Sequence, residues 1–328
     1  MITYIIRRVL YTVPVLFFSM FMSFAFVSYS ADPISALQQI PHVNPAAITN
    51  KIKAYHLDQP VPIRFFHWLW TAIAHGFGDS LVTTEALWPR MIQTFGVTAQ
   101  FVIIAEVIAI FLGCAVGIYS AIRQYSVFDY SFTTLSFLGF ALPTFWLAVL
   151  LQQVFVLQYN GAFFGFLNHV RIFYTSGLNS VPGGPTWSID RFQHLALPIV
   201  TLSTVSFALY SRYMRASMLD VINSDYVRTA RAKGLPEWRV ILRHVVPNAL
   251  IPIVTILALN LAGILGGAII TESVFYLDGI GKWFFDRLGA GDQYAVMAYL
   301  GFTAVIIIAF NLVADILYGV LDPRIRYE

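Results

Sequence analysis

Of 328 residues, 58% are hydrophobic and 11% charged, with twenty basic side chains against seventeen acidic. An ordinary water-soluble domain carries about 25% charged residues, so that class is excluded. The formal net charge of +3 is too small to argue for a nucleic-acid partner, and the basic residues cluster beside apolar runs, where a topology signal is the simpler reading. The single cysteine, Cys114, cannot form an intrachain disulfide. Among Leu112, Ala115 and Val116 it reads as a small hydrophobe, with no redox or metal role.

In chain order, six apolar runs stand out: Val9 to Ser30, Val97 to Ser120, Phe132 to Leu157, Leu195 to Ser211, Ala249 to Ile270, and Ala295 to Leu317. Each is near the ~20 residues that cross ~30 Å of hydrocarbon as helix. The expected fold is therefore all-α, a polytopic membrane protein with six transmembrane helices in a single transmembrane domain spanning 1–328. The first run also has signal-peptide features, with Arg7 and Arg8 before it and Ser28 and Ser30 at its end, but it exceeds the usual 7 to 15 residue core. Retained, it puts Arg7 and Arg8 in the cytoplasm, and six crossings return the carboxyl end to the same side. That topology assigns twelve of the twenty basic residues to the inside, while the longer outer connections hold the rest, as the insertion bias requires.

The first outer segment, 31–94, is long enough for small helices. Asn44 before Pro45 reads as an N-cap with proline at the first helical position. Pro60 and Pro62 introduce Phe65, Phe66, Trp68 and Trp70 beside Arg64, His67 and His75, which suits a helix lying in the headgroup layer. The two histidines have no acidic or cysteine partner at ligand spacing, so no metal site is expected. The outer insertion, 158–194, is rich in glycine and proline and reads as turns.

The inner connection, 212–247, is the informative one. It holds seven basic residues against Asp220, Asp225 and Glu237. Asp225 can cap a helix through Tyr226, Val227, Thr229, Ala230 and Ala232, and Gly234 supplies a left-handed C-cap. The chain restarts at Leu235-Pro236-Glu237, with Trp238, Val240, Ile241 and Leu242 as the expected packed face and Pro247 as the expected end of this second short helix. Two stubby helices at a glycine corner make a rigid protrusion suited to a groove in a partner.

At these residues the chain resembles a known family. Asp225-Tyr226-Val227-Arg228-Thr229-Ala230-Arg231-Ala232-Lys233-Gly234-Leu235, with Pro247 thirteen residues after Gly234, is similar to the EAA loop of binding-protein-dependent ABC importer permeases of the dipeptide/oligopeptide/nickel branch. Arg228-Thr229-Ala230 stands where the general motif has Glu-Ala-Ala. Further matching segments are Tyr4 to Arg8, Leu57 to Pro60, Gly78 to Ser80, Ala141 to Trp146, His194 to Pro198, Glu272 to Phe275, Asp315 to Gly319 and Asp322 to Arg326. The resemblance weakens at the outer insertion and at Gly76 to Ser80.

The resemblance implies the MetI-like fold of a type I ABC importer permease in a bacterial or archaeal cytoplasmic membrane, multi-pass, with both termini cytoplasmic. It implies a second, homologous permease as heterodimer partner, two cytoplasmic ATPases and an extracytoplasmic solute-binding protein. It also implies no directly bound cofactor, with ATP and Mg held by the ATPases. Independently, Gly279-Ile280-Gly281-Lys282 ends in Trp283 and lacks the remaining P-loop positions, so the chain itself is expected to be non-catalytic. Asp225 to Leu235 then becomes the coupling element, with Arg228 and Arg231 facing either the ATPase or lipid phosphate.

Within the runs, Glu106 and Asp315 are costly enough in hydrocarbon to be functional candidates. Glu106 has three open readings: a pore group, a subunit contact, or a protonated acid. Asp315 shares a face with Asn311 and reads as a structural hydrogen bond or a partner for Arg7 or Arg8. Pro143 and Pro198 can kink spans three and four, and Asn260, Thr271 and Glu272 are further pathway or interface candidates. Gly113 and Gly117, with Gly263 and Gly267, form small-xxx-small patterns that permit close helix approach. Peptide is the expected cargo, with nickel or another small solute as the alternative. An ion-coupled secondary transporter predicts several midplane ionisable groups and repeated halves, which this sequence lacks, and an intramembrane enzyme predicts reactive pairs, also lacking.

Overall fold

The computed structural model describes residues 2–30, 34, 45–158, 173–265 and 268–321, with only the backbone at 2–9, 47, 157–158, 265 and 317–321. Asn44, residues 159–172 of the outer insertion, Gly267, the Arg7 and Arg8 side chains and the Asp322 to Arg326 segment lie outside that set. Among the described residues there is no strand, and Asp79 and Ala86 form an isolated bridge.

The helices are α1 (Ile2–Ser30), α2 (Pro45–Ala54), α3 (Val61–Ala74), α4 (Leu87–Ile122), α5 (Val127–Ala141), α6 (Thr144–Gln152), α7 (Ile189–Ile222), α8 (Asp225–Ala232), α9 (Glu237–Val240), α10 (Val246–Leu265), α11 (Ile269–Val274), α12 (Ile280–Gly289) and α13 (Gln293–Leu321). Five helical stretches are long and apolar enough to cross a membrane: Leu10–Ser30, Leu87–Ile122, Ile189–Ile222, Glu237–Ile264 and Gln293–Ile316. The remaining apolar segment, third in chain order, is broken: α5 and α6 meet at 101°. Leu142 is extended, with φ −76° and ψ 126°, because the ring of Pro143 disfavours helical backbone in the residue before it. Pro143 itself occupies the N-cap of α6, so the expected kink is a full interruption.

Two other boundaries differ from the sequence reading. The fifth run is not one helix to its end, since Ala268 lies outside any helix and Ile270 belongs to α11. Pro247 does not close the second short helix either. From α9 the chain continues through one π-helical turn, Ile241–Val245, directly into α10. A wider turn there relieves the clash and missing N–H that proline imposes on an α-helix.

The chain divides into two compact units, the boundary on α4 falling between Thr98 and Ala99. The first comprises residues 1–98, 265–269 and 278–312. Its core joins Phe24 of α1, Phe65 and Trp68 of α3, Leu87 and Met91 of α4, and Met297 and Ala298 of α13. Pro60 and Pro62 start α3 as expected, but α3 buries one face instead of only lying flat. Phe65 packs edge-on against Phe21 and Phe24, and the buried Arg64 donates from Nη2 to Oε1 of Gln293 at 2.5 Å. Ile63, Phe66, Trp70 and Ile73 remain exposed on the other side.

The second unit comprises residues 99–264, 270–277 and 313–328. Here α5 and α6 pack on α7, and α4 crosses α7 at Gly113 and Gly117. A Cβ on Gly113 would stand 2.8 Å from Cβ of Tyr210, and one on Gly117 only 2.7 Å from Cβ of Met214 and from the Ser211 carbonyl oxygen. The small-xxx-small reading of α4 therefore holds as close backbone approach. Gly263 differs, with nothing among the described residues within 4 Å of the corresponding position.

Candidate functional site

The corner between α7 and α10 starts at Ser224, which takes the N-cap position of α8 with extended backbone. Asp225 is thus not the cap but the first-turn carboxylate, where it complements the helix dipole. One face of α8 is fixed by burial: Val227 and Ala230 sit in a core with Met214 and Met218 of α7, Val240 of α9 and Ala249 of α10. Leu235 packs against the same core. Thr229 turns its hydroxyl back to the Asp225 carbonyl at 2.9 Å, and Tyr226 and Arg228 point away from the core.

Gly234 ends α8 with φ +75°, a left-handed conformation that costs a residue with a side chain about 1–2 kcal/mol. Its N–H donates to the Arg231 carbonyl at 2.9 Å, while Lys233 holds the C-cap position. Across the corner, Nη2 of Arg231 donates to Oε1 of Glu237 at 2.7 Å, and Nη1 reaches the Ile222 carbonyl at 3.3 Å. Those bonds to Glu237 raise the Arg231 pKa from its ordinary value. Arg228 is more exposed, its guanidinium 3.7 Å from Asp225.

In α9, Val240 and the following Ile241 are buried, but Trp238 and Leu242 are each 60% exposed, contrary to their expected place in the packed face. Four residues within a run of five cannot all share one helix face at 3.6 residues per turn. With Tyr226, they form apolar points on the outer side of the corner, where Arg239 also lies 5.0 Å from the Trp238 ring. The arrangement can present aromatic and basic groups to a partner on a braced support.

A second constellation surrounds Glu106 on α4, which is 2% exposed. Ser206 of α7 donates to Oε1 at 2.5 Å, Tyr210 of α7 to Oε2 at 2.6 Å, and the Asn260 amide of α10 to Oε1 at 3.2 Å. Of the expected pathway residues, this brings Glu106 and Asn260 together. The sequence reading missed Ser206 and Tyr210, whose signal was available as two polar groups four residues apart, hence on one face of α7. Thr271 and Glu272 are buried in α11, where their carbonyls accept from Phe275 and Leu277. Pro143 stands at the α5–α6 break, and Asp315 is partly buried near the end of α13.

Residues 109–327 match the family described as "Binding-protein-dependent transport system inner membrane component". The chain is 34% identical to the oligopeptide transport system permease protein AppB of Bacillus subtilis, with all of both chains covered. It is 31% identical to the dipeptide transport system permease protein DppB of Escherichia coli, again over all of both chains. Identity to the oligopeptide transport system permease protein OppB of Mycobacterium bovis is 33%, over 99% of each. A family model covering both the corner and most of the apolar helices, together with full-length relatives above 30% identity, places this chain in the family of multi-pass inner-membrane components of binding-protein-dependent transport systems.

Proposed function

We propose that the chain is the permease subunit of an ATP-driven importer of short peptides, forming half of the translocation pathway with a second, homologous permease. The names of the full-length relatives support peptide as cargo, with nickel or another small solute as the alternative. On this reading both termini and the 212–247 connection are cytoplasmic, as the distribution of basic residues favours. The outer connections receive a solute-binding protein, and two ATPases carry ATP and Mg while this subunit binds neither.

The observation that carries the mechanism is the braced corner. Residues Asp225 to Ala232 form a helix whose inner face is sunk into the same core as α7 and α10, so a push on its outer face is delivered to two long apolar helices. Tyr226, Arg228 and Lys233 are the contacts offered to the ATPase. Arg231 instead holds Glu237, and Gly234 with Leu235 sets the exit. Closure of the ATPases on ATP would then tilt the helices as rigid bodies between inward-open and outward-open states. Glu106 acts as an internal clasp, since both carboxylate oxygens are already engaged. Pro143, Thr271, Glu272 and Asp315 are pathway or interface positions on this reading.

The deciding experiment reconstitutes the purified complex in liposomes and follows labelled di- and oligopeptides, with ATP on the side of the corner. Uptake that requires both ATP and the ATPases is expected. Vectorial uptake by this chain with no ATPase bound would overturn the reading.

A further inference from the structure

Arg212 and Arg215 stand nearly one turn apart on α7 and line one cavity of about 210 Å³, together with Ser120, Thr133, Ser136 and Phe137. Their charges are handled differently. Arg215 is neutralised by Asp129 at the start of α5, its Nε 2.7 Å and its Nη2 2.8 Å from the two carboxylate oxygens. Arg212 makes no ion pair among the described residues, and its buried Nε has no hydrogen-bond partner. Its guanidinium lies over the rings of Phe137 and Phe140, 5.2 and 4.5 Å from their centroids. Ring faces attract the charge but accept none of the five N–H groups well, so the fork remains unfilled.

The depth of the site narrows what can fill it. Residues 192–211 of α7 carry no Lys, Arg, Asp or Glu, and Arg212 is the first charge after them. Twenty such residues cross ~30 Å of hydrocarbon, which brings Arg212 to the level of headgroup phosphates. The turn joining α4 to α5 lies at the same end, because Asp129 is pinned to Arg215. Phe137 and Phe140 are more than half exposed, so the wall beside the guanidinium is apolar and open laterally. A free anion in water gains nothing from such a wall, whereas a phosphate attached to acyl chains does.

We infer that this α4–α5–α7 cavity binds the phosphate of an anionic phospholipid, with Arg212 as its cationic fork. The test is native mass spectrometry of the full-length chain in detergent with equal phosphatidylglycerol and phosphatidylcholine. The wild type should retain phosphatidylglycerol preferentially, and Arg212→Gln should lower that preference about five-fold, the worth of one basic residue near a lipid surface. Arg239→Gln, at the exposed corner, should leave it unchanged. Thr133→Phe fills the cavity and keeps the Arg212 charge, giving up only the 3.4 Å hydrogen bond from Thr133 to Asp129; it should also lower the preference, which keeps the test open if Arg212→Gln fails to fold. Unchanged retention in the Arg212 or Thr133 variant, or an equal loss in Arg239→Gln, overturns the site. Displacement of the lipid by excess inorganic phosphate assigns the fork to a free anion and overturns the lipid.

Discussion

Arg231 and Glu237 close a hydrogen-bonded bridge of 2.7 Å over the glycine corner, so the two short helices flanking Gly234 are fastened to each other as well as to the core beneath. Both side chains are more than a third exposed, and pairs of that kind contribute about 0–1 kcal/mol. Arg231→Gln should therefore leave the unfolding midpoint of the purified chain within a few degrees of wild type. ATP-driven uptake should fall several-fold because the corner loses stiffness rather than its fold. Normal uptake with the bridge removed would show that the core contacts alone suffice.

Gly234 isolates backbone strain from packing. A Cβ there meets nothing among the described residues within 4 Å, yet φ is +75°. Substitutions should thus rank by tolerance of the left-handed region, with Gly234→Asn mild, Gly234→Ala intermediate and Gly234→Val worst. Uptake in proteoliposomes, normalised to assembled complex, measures the order. Equal and full activity of all three would sink the corner argument.

The Glu106 cluster predicts a stability hierarchy. Tyr210→Phe removes one hydrogen bond to a carboxylate, worth about 1.5–3 kcal/mol. Glu106→Ala should cost more, because it strands donors on α7 and α10 together, and Glu106→Gln should fall between wild type and Ala. Thermal unfolding in detergent reads the series. If Glu106→Ala unfolds with the wild-type midpoint, the carboxylate is not a clasp.

Helix approach at α4 and α7 gives a contrast between glycines. Gly117→Ala places a methyl 2.7 Å from backbone and side chain of α7 and should destabilise by about 1–3 kcal/mol through overpacking. Gly263→Ala meets no atom of the described residues within 4 Å and should leave the isolated chain unaffected. Parallel unfolding curves of the two variants check this.

Much of the candidate site was legible in the residue order because it is local. The helix from Tyr226, the left-handed Gly234 and the restart at Pro236 depend on capping and on proline and glycine backbone preferences within a few residues. The misplaced face of Trp238 and Leu242 has a different origin. In a segment this short, apolar residues at four positions do not say which two meet the core, and the choice was made by α7 and α10 lying behind Val240 and Ile241.

By itself, the sequence determined the all-α membrane class, the apolar segments and the basic corner, since hydrocarbon thickness and local backbone preferences are imposed residue by residue. Only the tertiary structure decided that Glu106 of α4 meets Ser206 and Tyr210 of α7 and Asn260 of α10, and that Arg215 is engaged while Arg212 is not. Those pairings join positions about a hundred or more residues apart in the chain, or turn on which of two neighbouring arginines a distant carboxylate reaches. They depend on how helices come together, which hydropathy and spacing do not encode.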